Sequence, residues 1–210
     1  MIPNSVTNIG TEAFFGCTSL ASIAIPNSVL HIPNSAFEDC LSLTDITLPS
    51  SVTDIGTFAF WGCSSLAKIT IPGSVTTIGD SAFYLCGALT RIYFKGNAPG
   101  VDSAAFSTVN ATVYYLPGTA GWGTAFDGLT TALWRPQIQT SAASFGLLTN
   151  QFGFNINWAS GMVVVVEASA TLPSPVWSPL QTNTLISDSL YFSDPQWTKY
   201  PRRFYRIHSP

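Results

Sequence analysis

The chain has 210 residues, of which 46% are apolar, 13% aromatic and only 9% charged, with a formal net charge of −3. The slight negative charge argues against a phosphate-backbone binder, and the aromatic content argues against a disordered chain. No apolar run approaches the ~20 residues of a spanning helix, so no membrane span is expected, and the surface must be dressed in Ser, Thr, Asn, Gln and Gly.

The first half repeats. Pro recurs at 3, 26, 49 and 72, Cys at 17, 40, 63 and 86, and the pair Ala-Phe at 13, 36, 59 and 82, always 23 residues apart. Repeats without insertion specify a solenoid, in which each turn buries its apolar face only against its neighbours. Within a turn, Leu20, Ile23 and Ile25 alternate with Ser22 and Ala24, which predicts a short strand. Stacked turns then make a parallel ladder. Pro26 ends the strand because it has no N–H to donate. Thr11, Asn34, Thr57 and Asp80 are good helix N-caps, so one helical or 3₁₀ turn is expected after each, with the Phe as core filler.

The pattern Leu-x-x-Ile-x-Ile-Pro-x-Ser-Val-x-x-Ile-Gly-x-x-Ala-Phe-x-x-Cys resembles the BspA-like, Treponema-type leucine-rich repeat across residues 1–94. The resemblance implies a curved solenoid on a bacterial surface, with the strands on its concave side and a role in adhesion or protein contact. It brings no catalytic residue.

Cys17, Cys40, Cys63 and Cys86 hold the same place in successive turns and form a column. Parallel Cα–Cβ vectors suit a disulfide poorly, and a column does not converge on a tetrahedral metal. Buried free thiols are the leading reading, ahead of a disulfide or a zinc site.

After Phe94 the phase survives while the motif decays. Ala105-Phe106 keep the 23-residue interval, but Val109 stands where Cys is due. Residues 95–137 are read as a degenerate fifth repeat and a cap, with Trp122, Phe126 and Trp134 covering the open end of the core. From 138 to 210 the period changes to two. Runs at 151–158, 162–169, 176–182, 189–194 and 202–209 are separated by turn signals, which predicts a small antiparallel β-sandwich. It resembles fibronectin- and immunoglobulin-like modules, without a Cys pair.

No phosphate loop, nucleophile elbow or zinc-protease motif occurs. His31 falls on a solvated row with Asn8, Asp54 and Thr77, and His208 lies in a terminal strand. No enzyme activity, cofactor or metal is therefore expected. What remains is surface. The outward strand positions make one row of Ser22, Asp45, Lys68 and Arg91 and another of Ala24, Thr47, Thr70 and Tyr93. Asp45, Lys68, Arg91, Thr47, Thr70 and Tyr93 are the candidate partner-binding residues, with Arg and Tyr the types enriched at binding hot spots. Asp45 beside Lys68 could instead be a surface ion pair. Phe15, Glu38, Trp61 and Tyr84 make a further exposed-looking row.

The expected function is a non-enzymatic, monomeric surface or secreted module that binds a protein or other extracellular ligand. A carbohydrate-binding accessory module and a structural spacer from a larger exported protein are the alternatives. The repeat begins in mid-phase directly after Met1 with no signal sequence, which reads as a truncated start.

Overall fold

The computed structural model describes residues 2–141, 145–148 and 151–210; the expectation attached to Met1 lies outside them. The chain divides into two compact units, Met1–Trp134 and Arg135–Pro210.

The first unit is the solenoid. Its strands are β1 (Ser22–Ala24), β2 (His31–Ile32), β3 (Asp45–Thr47), β4 (Asp54–Ile55), β5 (Lys68–Ile71) and β6 (Thr77–Ile78). They continue as β7 (Arg91–Phe94), β8 (Gly100–Val101), β9 (Thr112–Tyr115), β10 (Ala125–Phe126) and β11 (Leu129–Leu133). The expected ladder is present. β1 pairs with β3, and β5, β7, β9 and β11 pair in parallel order, while no ladder pairing joins β3 to β5. Ile46, Ile69, Ile92 and Val113 point inward and are buried. A second parallel ladder, β2-β4-β6-β8, runs through Ile32, Ile55 and Ile78. Two-residue strands carry too little alternation to be legible beforehand.

The Phe side chains form a continuous spine. Phe14, Phe37, Phe60, Phe83 and Phe106 stack at centroid distances of 5.0, 5.4, 5.1 and 5.1 Å, with planes within 12°. Each ring thus adds an aromatic contact worth about 0.5–1.5 kcal/mol beyond its burial.

The segments carrying these Phe residues are turns rather than the expected short helices. Their amides alternate between two partners. Ala36, Glu38 and Cys40 donate to the carbonyls of Pro33, Ser35 and Phe37, whereas Ser35, Phe37 and Asp39 donate to Thr57, Ala59 and Trp61 in the next turn. A continuous helical turn would keep all these amides to itself and leave the next turn's carbonyls unpaired, so the inter-turn bonds prevail. The alternation requires left-handed backbone at Ser35 (φ 53°) and Asp39 (φ 55°), and it recurs at Phe58 and Leu85 (φ 56° and 58°). There bulky residues occupy a region that costs a non-glycine residue about 1–2 kcal/mol. Asn34 acts across turns as well, its Oδ1 accepting from the Thr57 amide at 2.9 Å.

The scarcity of charge has a structural counterpart. Ser28, Ser51 and Ser74 donate to the carbonyls of Val6, Val29 and Val52 in the preceding turn, at 2.5–2.7 Å. A neutral hydroxyl bridges two turns at a much lower desolvation cost than an ion.

The turns also approach closely. A Cβ on Gly79 would lie 2.6 Å from the Thr57 amide nitrogen, so this position admits no side chain without separating two turns.

Beyond Phe94 the strand pairing runs on. Thr112 faces Arg91, an interval of 21 residues rather than 23, and Thr130 faces Thr112. Trp122 and Phe126 meet the last core rings, each within 5.5 Å of Phe94. The Phe106 amide meets a side chain of the following turn instead of a backbone carbonyl: the Asp127 carboxylate accepts from it at 3.1 Å.

The second unit consists of two antiparallel sheets. Its strands are β12 (Gln137–Gln139), β13 (Gly146–Leu148), β14 (Gln151–Asn157), β15 (Val163–Ser169), β16 (Ser178–Thr184), β17 (Ser189–Asp194) and β18 (Phe204–His208). β14 pairs with β12, β13 and β17; β15 pairs with β16 and β18. Tyr205 of one sheet stacks on Phe152 of the other at 4.9 Å and touches Phe154 and Phe192. Its phenol donates to Asp194 Oδ2 at 2.9 Å, and burial together with that carboxylate pushes the phenol's pKa well up.

Candidate interaction surface

The period-two alternation of each ladder strand sends Ile inward and leaves its flanking residues outward. All six candidate residues therefore lie on the outward side of the first ladder, in two groups. Asp45 and Thr47 belong to the separate β1–β3 pair, where with Ser22, Ala24, Phe14 and Ile23 they help line an open groove of about 500 Å³. Lys68, Thr70, Arg91 and Tyr93 sit on β5 and β7, with Lys68 facing Arg91 and Thr70 facing Tyr93.

The second group carries an aromatic assembly. Tyr93 stacks on Tyr114, the next residue of its row, at 5.1 Å and 21°. Trp134 leans onto the same Tyr93 ring at 4.7 Å and 46°. Burial raises the Tyr93 phenol pKa, and the nearby positive charge of Arg91 opposes that rise. Sequence reasoning left Tyr114 out of the row and gave Trp134 to the core. The signal for Tyr114 was its alternation beside Val113; Trp134 carried none, because its place follows from β11 joining the ladder.

Asp45 and Lys68 form no ion pair among the described residues. His31 does pair with Asp54 through its Nδ1, facing it on the second ladder, and Thr53 donates to the same carboxylate at 2.9 Å. Both partners are substantially exposed, at 59% and 37%, so the pair contributes under about 1 kcal/mol. On the turn side, Trp61 and Tyr84 stack at 6.3 Å.

The cysteines are free thiols. Cys40, Cys63 and Cys86 are buried, and each donates to a Phe carbonyl of the preceding turn at 3.1 Å. Burial pushes Cys40 up to about 11 and Cys86 up to about 12, with Cys63 raised further still. These thiols stay protonated and unreactive at neutral pH. Cys17 departs from the expected column by being exposed, since no turn of the described residues covers its side of the stack. Among the described residues no group of three or more His, Cys, Asp or Glu side chains is placed to hold a metal ion. No helix there is long and apolar enough to cross a membrane.

The family description "BspA type Leucine rich repeat region" matches residues 1–112 in six copies. Solved structures with similarity include the Leucine Rich Repeat protein of T. pallidum, 35% identical with a TM-score of 0.46, covering 50% of each chain. A leucine-rich repeat protein from Bacteroides ovatus ATCC 8483 is 33% identical with a TM-score of 0.45, covering 55% of this chain and 32% of that one. A leucine rich cell surface protein from Faecalibacterium prausnitzii A2-165 is 29% identical with a TM-score of 0.41, covering 51% and 38%. The chain thus spans half or less of the length of each. No curated protein shows a significant sequence match.

Proposed function

Because the chain belongs to the BspA-type leucine-rich repeat family, we propose that it is a non-enzymatic adhesion or interaction module that works at the bacterial surface or outside the cell. Its contact surface is the outward side of the first ladder. The observation that carries this reading is the cluster of Lys68, Arg91, Tyr93, Tyr114 and Trp134, where rigid aromatic rings and cations share an accessible strand face. Large, stiff side chains beside a guanidinium lose little entropy on contact, which is why such groups dominate binding energy. A protein partner suits the cluster better than a sugar does. Sugars stack on open ring faces, and the Tyr93 ring already has two aromatic neighbours.

The test compares the wild-type chain with Arg91→Ala/Tyr93→Ala for binding to intact cells and to a glycan array. Wild type is expected to bind cells and leave the array blank. The double variant should lose about tenfold or more in cell binding, corresponding to at least one hot-spot residue, while its circular dichroism spectrum at the assay temperature stays that of the folded wild type. Undiminished cell binding by the variant would show that the surface is misplaced.

A further inference from the structure

Lys68 and Arg91 stand directly opposite each other on neighbouring rungs, and both are exposed. Like charges in facing ladder positions repel. Neither cation forms an ion pair among the described residues, and the row continues toward the cap with Thr112 and Thr130. Other charges are paired in places, His31 with Asp54, Arg203 with Asp194 and Arg206 with Glu167, but among the described residues only Lys68 and Arg91 are like charges facing each other across a ladder. Arg91 sits two residues before Tyr93 on β7, and Tyr93 is braced by Tyr114 and Trp134. A chain with a net charge of −3 therefore exposes two facing cations, neither ion-paired among the described residues, on the face proposed above as its contact surface.

We propose that this doublet receives carboxylate side chains from an extended acidic segment of a partner protein. The inference rests on the outward-face reading and adds the chemistry of what that face binds. Two adjacent cations answer two carboxylates, one of them through the planar fork of an arginine. A long polyanion would need a basic track, and beyond the doublet both rows offer only Ser, Thr, Ala, Tyr and the acidic Asp45. An acidic polysaccharide is such a polyanion, and its repeated charges would run past the doublet onto these neutral and acidic positions.

The experiment is fluorescence anisotropy with the full chain and a labelled extended peptide bearing Glu at alternate positions. Its Gln counterpart and an oligogalacturonate serve as competitors. The Glu peptide is expected to bind, with affinity falling severalfold between about 0.05 and about 0.5 M salt as exposed charges are screened. Lys68→Gln/Arg91→Gln should weaken binding about tenfold or more, and Lys68→Arg/Arg91→Lys should retain most of it. The proposal is overturned if the Gln peptide competes as well as the unlabelled Glu peptide, if the neutralised double variant binds unchanged, or if oligogalacturonate competes equally. Failure here alongside loss of cell binding in Arg91→Ala/Tyr93→Ala would remove the acidic partner and leave the surface standing. Failure of both would remove the surface.

Discussion

Phe60→Ala will destabilise the solenoid by about 3–5 kcal/mol, the range for truncating a buried aromatic. The ring is fully buried and stacked between Phe37 at 5.4 Å and Phe83 at 5.1 Å. Neither neighbour can fill the gap, because each is held by its own ladder: Phe37 donates to Ala59, and Phe83 donates to Ala105. Each turn is stabilised only by the turns beside it, so a cavity at the third ring divides the spine into two shorter stacks. Denaturant unfolding followed by tryptophan fluorescence should show a lower midpoint and a broader transition. Phe15→Ala is the control, since Phe15 is 51% exposed and should change stability by no more than about 0.5 kcal/mol. Equal effects for the two substitutions would mean that the stacked spine does not hold the turns together.

The second unit has a different weak point. Asp194→Ala is expected to cost about 3–5 kcal/mol, because it strands a buried guanidinium without its counter-charge. Arg203 Nε lies 2.7 Å from Asp194 Oδ2, and their side chains are only 9% and 4% exposed. The same carboxylate accepts from the Tyr205 phenol and from the Gln196 amide, both at 2.9 Å. Arg203 also sits 4.0 Å over the Tyr200 ring, a contact too weak to offset a lost anion. Asp194→Leu/Arg203→Met should recover most of the loss, as apolar replacements of buried ion pairs commonly do. Thermal unfolding of the three proteins checks this. A single variant as stable as wild type would mean that the pair is not buried in solution.

The repeating half was readable because one rule, a 23-residue interval, sets register for every turn at once. The inward Ile of each strand and the buried Cys40, Cys63 and Cys86 follow directly from it. The turn conformation did not, because Asn34 and Asp80 suit an N-cap as well as they suit a bond between turns. Only the neighbouring turn's carbonyls decide between the two. The strand runs of the second half were also legible, and β14, β15, β17 and β18 lie within them. Their pairing was not: alternation says which face a residue takes, and nothing in Phe152 or Val165 says that β17 and β18 are their partners. The candidate surface was half visible. Lys68, Arg91 and Tyr93 follow from repeat phase, while Trp134 reaches Tyr93 only because the ladder continues past the last regular repeat.

The central claim is that the outward ladder face makes the contact, and site-specific photo-crosslinking tests it most directly. A photo-reactive residue at Thr47 or Thr70 would report from the outward rows, and one at Tyr84 from the turn side. With intact cells that bind the wild-type chain, the account predicts cross-linked partner from positions 47 and 70 and none from position 84. Cross-links from position 84 alone would contradict it and move the site to the row of stacked Trp61 and Tyr84.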